Sequence, residues 1–149
     1  MSAENNSNDP KVVALEYFTR LNAAGNILEL FTEDATCFFP KHSYAVGIQQ
    51  IIQLFMDVAP IFKKNNHDVT TFNYFVQGNT VVVEGASSGE LSKAAGGGAW
   101  TETDGGRFCN VFECSDGKII RLHIYLDPDY AGRDTARYPW LTDKANSIG

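Results

Sequence analysis

The sequence predicts an α+β domain in which a strongly curved, antiparallel β-sheet wraps around three N-terminal helices and encloses a cone-shaped pocket. Apolar residues recur at helical spacing before Pro60, and strand-like segments separated by turn signals follow it. Helices that precede a meander of strands are typical of α+β domains, with the helices on one face of the sheet. The 149 residues suit one domain, at 10–149, after a polar lead-in at 1–9 that is predicted to be disordered.

Three helices are predicted. Asp9 and Pro10 are a capping residue and a first-turn proline, and Gly25 is a helix stop. A second, shorter helix is predicted from Asn26, apolar over most of its circumference and therefore internal. The third is predicted from Gly47 to Pro60. The predicted buried stripe of the first helix is Val13, Ala14, Tyr17, Phe18 and Leu21. That of the third helix is Ile48, Ile51, Ile52, Phe55, Met56 and Ala59.

The predicted strands begin with a short one at 35–39, which Pro40 ends. Segments 68–76 and 80–91 flank a Gln-Gly-Asn turn and are predicted to form a hairpin. A long strand is predicted at 100–114, and an Asp-Gly turn connects it to the last strand at 118–126.

Composition excludes several classes of function. The 12 Lys and Arg against 18 Asp and Glu give a net charge of −6, which opposes binding to nucleic acid. No apolar run is long enough to span a membrane. The N-terminus lacks an apolar signal segment, and the three cysteines form no C-x-x-C pair, so we expect a cytoplasmic protein. We expect no cofactor, and no metal site, because the three histidines are scattered without ligand spacing.

Three segments resemble a known family. They are residues 17–36 (a helix, Gly25, a short apolar segment, then Thr-Glu-Asp-Ala-Thr), the Gly-Ile-Gln-Gln-Ile run at 47–51 and the Asp-Gly-Lys-Ile turn at 116–119. Together they resemble nuclear-transport-factor-2-like proteins, nearest the SnoaL-like branch. The resemblance covers about residues 10 to 130. It implies the cone-shaped fold but not one function, since this fold hosts isomerases, cyclases, hydrolases, dehydratases and non-catalytic modules.

The resemblance also allows the chemistry of the family to be compared position by position. Ketosteroid-isomerase-like members have a general-base Asp at the end of the first strand, where this chain has Phe39, while Tyr17 lies near their donor tyrosine. The hydrolase-like Asp-Arg-Asp set is replaced by Gly85, Ser87 and Ile124. SnoaL-like cyclases use a carboxylate late in the last strand, for which Asp127 is the candidate.

The last strand alternates between two rows of side chains. Arg121, His123, Tyr125 and Asp127 lie on one side, and four Ile and Leu side chains on the other. One hypothesis places the polar row in the pocket, for proton transfer. The other places it outside, as the contact of a homodimer formed through the sheet by Arg121, His123 and Tyr125, and the resemblance favours this second arrangement.

Two functions therefore stay open for the pocket. In the first, a cofactor-independent isomerase- or cyclase-type enzyme acts on an apolar metabolite by acid–base proton transfer. Asp127 would be the acid/base, with Tyr17, His42 or Asn110 as polarising donors. In the second, the same pocket binds a ligand without catalysis, or the domain only dimerises. The predicted ligand-binding residues are Phe39, Phe55, Ser87, Trp100, Phe108, Asn110 and Phe112. His67 and Asp68, as strand neighbours, are not expected to act as a pair.

Overall fold

The computed structural model describes residues 8–100, 106–129 and 133–134. The first α-helix, α1 (Pro10–Asn22), begins as predicted: the Asp9 side chain caps it by accepting a hydrogen bond from the Lys11 N–H at 2.9 Å. The second, α2 (Ile48–Val58), continues into a 3₁₀ turn at Ala59–Ile61. The lead-in at 1–7 lies outside the described residues.

The predicted helix after Asn26 is wrong. Only one 3₁₀ turn, Leu28–Leu30, forms there, and the chain enters the sheet at Phe31, which pairs with Ile119 of the last strand. So short an apolar segment makes too few helical hydrogen bonds to offset the cost of nucleation. Pairing with a strand that is already part of the sheet gives Phe31 both hydrogen bonds and burial.

The described residues contain eight strands. They are β1 (Phe31–Phe39), β2 (Ser43–Val46), β3 (Phe62–His67), β4 (Asn73–Gln77), β5 (Thr80–Leu91), β6 (Ala99–Trp100), β7 (Arg107–Ser115) and β8 (Lys118–Leu126). Their order in the sheet is β2-β1-β8-β7-β5-β3, with β4 and β6 also paired to β5.

The sheet is mixed rather than purely antiparallel, because β1 pairs with β8 in parallel. Parallel neighbours need a long crossover, and most of the chain lies between these two strands. The predicted start of the hairpin at Asp68 is also wrong. Asp68 caps a 3₁₀ turn at Val69–Thr71, accepting a hydrogen bond from the Thr70 N–H at 3.1 Å, and β4 starts only at Asn73.

Register decides which side chains face the helices. Asn110 pairs with Ile124 on the inner face, and Val111 pairs with His123 on the outer face. The Ile124 row is therefore inside and the Arg121 row outside. The inner face packs on α1 and α2 to form one core, which includes Phe18, Ile51, Val81, Val83, Phe112, Ile119 and Leu122. No helix of the described residues is long and apolar enough to cross a membrane.

Candidate functional site

A cavity of about 470 Å³ lies between the inner face of the sheet, the two α-helices and the loop that follows α1. Its volume suits a small organic molecule. The cavity is lined mainly by apolar side chains: Phe18, Leu21, Ile27, Leu28, Phe39, Ile52, Phe55, Met56, Val58, Phe62, Phe108 and Ile124. The polar side chains on its wall are those of Tyr17, Asn26, Asn65, His67 and Asn110.

Asn110 is a buried polar side chain in the cavity wall with an unsatisfied hydrogen-bond acceptor among the described residues. It lies on β7 with 4% of its surface exposed, and its Oδ1 is buried without a hydrogen-bond partner among the described residues. A buried polar atom left without a partner costs about 1–3 kcal/mol. Because Asn110 also lines the cavity, a bound molecule can supply the missing hydrogen bond.

Tyr17 reaches the cavity from α1. Its ring packs edge-on against Phe112, with centroids 5.3 Å apart. Burial raises the pKa of the Tyr17 hydroxyl far above its ordinary value, and the neighbouring thiol of Cys37 raises it further. The phenol therefore keeps its proton at neutral pH and is suited to donate a hydrogen bond rather than to act as a base.

His67 also lines the cavity, although sequence reasoning did not select it. Its ring lies 5.3 Å from that of Phe18 and 5.9 Å from that of Phe108, between centroids. Burial lowers the pKa of His67 from 6.5 to about 4, so the ring is neutral at pH 7. The polar sequence of β3, Phe-Lys-Lys-Asn-Asn-His, has no apolar alternation, and no local signal predicted this strand or its histidine.

Three predicted ligand-binding residues lie outside the cavity wall. Phe112 is fully buried against Tyr17 and Phe18. Ser87 donates a hydrogen bond to the Gly106 carbonyl at 3.3 Å and accepts one from the Trp100 ring N–H at 3.4 Å. Trp100 in turn packs on Phe62, with ring centroids 5.1 Å apart, so it supports a residue of the wall without touching the cavity.

Two predicted catalytic residues are also separated from the cavity. His42 follows β1 in a turn, with its ring edge-on to Phe39 at 5.6 Å and its Nδ1 3.2 Å from the Pro40 carbonyl oxygen. It borders a smaller groove of about 280 Å³ with Asp129 and Arg133. Asp127 is exposed, and its carboxylate accepts a hydrogen bond from the Asp129 N–H at 2.8 Å. Of the predicted site residues, the structure brings Tyr17, Phe39, Phe55, Phe108 and Asn110 together around the cavity.

The outer face of β1, β2 and β8 has an aromatic cluster, which consists of Phe38, Tyr44, His123 and Tyr125. Ring centroids within it lie 5.2–6.1 Å apart. Tyr44 is 61% exposed and Tyr125 46%, whereas these neighbours cover His123. The His123 Nδ1 lies 3.1 Å both from the Arg121 guanidinium and from the Tyr125 hydroxyl. Burial, together with the Arg121 charge, lowers the pKa of His123.

In the described part of the chain, no three His, Cys, Asp or Glu side chains form a group that could hold a metal ion. The cysteines at 37, 109 and 114 are free thiols.

Comparison with known proteins identifies the family. A model of the SnoaL-like domain matches residues 14–122, and the chain therefore belongs to the SnoaL-like domain family. Solved structures that match it, NTF2-like proteins among them, have the curved α+β fold that the sequence predicts. A search of curated proteins finds no match.

Similar solved structures agree on the fold. An NTF2-like protein from Anabaena variabilis is 24% identical, with a TM-score of 0.66, over 88% of this chain and 98% of that one. A putative polyketide cyclase from Pseudomonas putida is 15% identical, with a TM-score of 0.70, over 83% and 96%. A phenazine biosynthesis-related protein from Pseudomonas aeruginosa is 18% identical, with a TM-score of 0.62, over 85% and 80%.

Proposed function

We propose that this protein binds an apolar small molecule in the cavity between its helices and its sheet. The main observation is Asn110, whose buried Oδ1 has no hydrogen-bond partner among the described residues and lies in the wall of an otherwise largely apolar cavity of about 470 Å³. Apolar walls supply most of the binding free energy, and a few polar groups orient the ligand. The similarity to a polyketide cyclase and to a phenazine biosynthesis-related protein supports a ring compound as the ligand.

Binding can be tested without knowing the natural ligand. N-phenyl-1-naphthylamine is uncharged and fluoresces more strongly when it leaves water for an apolar site. We expect it to bind saturably to the wild-type protein. Ile52→Trp, which adds an indole to the cavity wall, is expected to weaken binding at least tenfold. Gln49→Trp, at an exposed position of the same helix that does not line the cavity, is the control and should bind like the wild type. Equal binding by the Ile52→Trp protein would place the probe elsewhere and refute the proposal.

The second candidate is an isomerase- or cyclase-type enzyme that uses proton transfer, and one observation favours it. The cavity wall has both a group that holds its proton, Tyr17, and a neutral imidazole, His67. A neutral imidazole can accept a proton and a phenol can stabilise a developing enolate. With His42 and Asp127 outside the wall, these two residues are the pair proposed to act.

Proton transfer can be measured on a model ketone. 2-Tetralone is an uncharged ring compound with an acidic C–H beside its carbonyl. If the second candidate is right, the protein accelerates the exchange of these hydrogens in D₂O, measured by NMR, and His67→Gln abolishes the acceleration. Exchange at the buffer rate while N-phenyl-1-naphthylamine binds normally would leave non-catalytic binding as the function.

We further propose that two copies of this chain pair through the outer face of the sheet. The exposed aromatic rings of the cluster lie beside Arg121. Arg121 on β8 is paired in the sheet with Glu113 on β7, which carries the opposite charge. In a two-fold contact the same surface meets itself, so Arg121 of one copy can meet Glu113 of the other. No ion pair joins the two side chains within the described residues of one chain.

A further inference from the structure

Asn22 and His67 connect the end of α1 to the end of β3, beside the cavity. The Asn22 Nδ2 donates a hydrogen bond to the His67 carbonyl oxygen at 2.7 Å. The His67 backbone N–H donates one to the Asn22 Oδ1 at 2.8 Å. If the amide were turned over, its NH₂ group would face the His67 N–H and its oxygen would face the His67 carbonyl oxygen. Donor would then meet donor, and acceptor would meet acceptor. These two hydrogen bonds therefore determine which end of the Asn22 amide is the oxygen.

The orientation of Asn22 determines where His67 holds its proton. The Nδ1 of the ring lies 3.3 Å from the same Oδ1. A carbonyl oxygen has no hydrogen to donate, so the contact is favourable only when Nδ1 holds the proton of the neutral ring. Nε2 then has a free lone pair. In the described part of the chain Nε2 makes no hydrogen bond, and the aromatic rings packed near the imidazole there are those of Phe18 and Phe108.

The rest of the wall restricts the charge of the ligand. Among the described residues that line the cavity, none is Asp, Glu, Lys or Arg. A charged ligand would lose its hydration without meeting an opposite charge, which is costly. Asn110 does not restrict the ligand further, because its amide can present either its oxygen or, after turning, its N–H groups. His67 presents only an acceptor, so it selects a ligand with a donor.

We propose that the His67 Nε2 accepts a hydrogen bond from a hydroxyl or N–H group of an uncharged ring compound, and that Asn22 is the positioning residue that holds the imidazole in this tautomer. This inference rests on the proposed binding function. It extends that function by naming the chemical class of the ligand and the atom that recognises it.

The tautomer can be measured in the protein without a ligand. In long-range ¹H–¹⁵N spectra of ¹⁵N-labelled protein at pH 7, we expect His67 to show a protonated Nδ1 and an unprotonated Nε2. Asn22→Ala removes the acceptor for Nδ1–H and is expected to move the ring toward the Nε2–H form that predominates for histidine in water. A wild-type His67 with its proton on Nε2 would overturn the inference, whatever the cavity binds.

The ligand class can be tested with two matched probes. 2-Naphthol has a hydroxyl donor, and 2-methoxynaphthalene has nearly the same shape without one. We expect the wild-type protein to bind 2-naphthol about tenfold more tightly, since one hydrogen bond to a buried acceptor contributes an effect of that order. His67→Phe should remove the preference, and His42→Phe, outside the cavity, should retain it.

The outcomes separate this inference from the binding proposal. Equal binding of the two probes by the wild-type protein refutes the role of His67 and leaves the cavity as a binding site. Failure of both probes and of N-phenyl-1-naphthylamine to bind refutes the binding proposal itself. If His67→Phe does not fold, the His67 Nε2 resonance of the wild-type protein provides the same test. It should shift when 2-naphthol is added and stay unchanged with 2-methoxynaphthalene.

Discussion

At the scale of single residues, the chemistry of the cavity depends on a few polar side chains in a mainly apolar wall. His67 has an ordinary pKa of 6.5 when the chain is unfolded and a pKa of about 4 in the fold, because burial disfavours its charged form. The unfolded chain therefore binds the proton more tightly, and stability falls as the pH falls through this range.

This gives a pH prediction for the ligand-free protein. The contribution of His67 is fully present above pH 6.5 and is lost as the pH falls toward 4. At 1.36 kcal/mol per pKa unit, the loss in the free energy of unfolding amounts to about 3 kcal/mol. Urea unfolding at several pH values should show this slope in the wild-type protein and a shallower one in His67→Phe. Parallel slopes would mean that His67 titrates normally in the fold.

Asn110 gives a prediction in which binding and stability respond differently. Replacing Asn110 by Leu exchanges the amide oxygen and nitrogen for two methyl groups and so removes Oδ1, which has no partner among the described residues. Without ligand, the free energy of unfolding is expected to rise by about 1 kcal/mol. The affinity of this variant for 2-naphthol is expected to be equal to or lower than that of the wild type, although the variant is the more stable protein. A loss of stability on thermal unfolding would show that the Asn110 amide has a structural partner.

At the scale of secondary-structure elements, the β3–β5 pair brings His67 to the cavity. The two strands approach closely at Gly89, which is paired with Asn65 on β3 and Trp100 on β6. A Cβ atom at position 89 would overlap the Lys64 backbone carbonyl and the Trp100 ring. Backbone atoms cannot turn away as a flexible side chain can, so glycine is required here.

Gly89→Ala is therefore expected to destabilise the protein by about 2 kcal/mol, through strain and a displaced Trp100. Ser88→Ala, at the adjacent position of the same strand, is the control and should change stability by less than about 0.5 kcal/mol. Chemical denaturation gives both values, and tryptophan fluorescence in a Trp140→Phe background reports Trp100. Equal stabilities of the two variants would mean that β3 is free to move away from β5.

At the scale of the whole molecule, the outer aromatic cluster determines the proposed assembly. If two copies pair there, Tyr44→Glu combined with Tyr125→Glu places four carboxylates in one contact and is expected to convert a dimer to a monomer. Sedimentation equilibrium at micromolar concentration measures this. Val12→Glu, also at an exposed apolar position but on α1, should leave the dimer intact. A wild-type protein that sediments as a monomer would refute the pairing.

Much of the fold could be predicted from local patterns, and part of the site with it. The Asp9–Pro10 helix start and the alternation of two rows of side chains on the last strand depend on residues adjacent in the chain, and the structure contains both. The family resemblance, rather than the alternation, favoured the Ile124 row as the inner one. Tyr17 and Phe55 reach the cavity from helices whose apolar spacing predicts their burial, whereas Phe39, Phe108 and Asn110 were assigned to the inner face through the family resemblance.

The rest depends on contacts between distant segments. The segment around Phe31 becomes a strand because Ile119 is available to pair with it, and the parallel pairing of β1 with β8 is visible only once the sheet is assembled. His67 reaches the cavity wall on a polar strand, and its proton is positioned by Asn22, 45 residues earlier in the chain. The sequence alone determined the α+β class and which side chains of a predicted strand share a face, because side-chain alternation is a property of the local backbone. The tertiary structure alone decided which polar groups share the cavity, because the energy of a buried polar group depends on neighbours that only folding brings together.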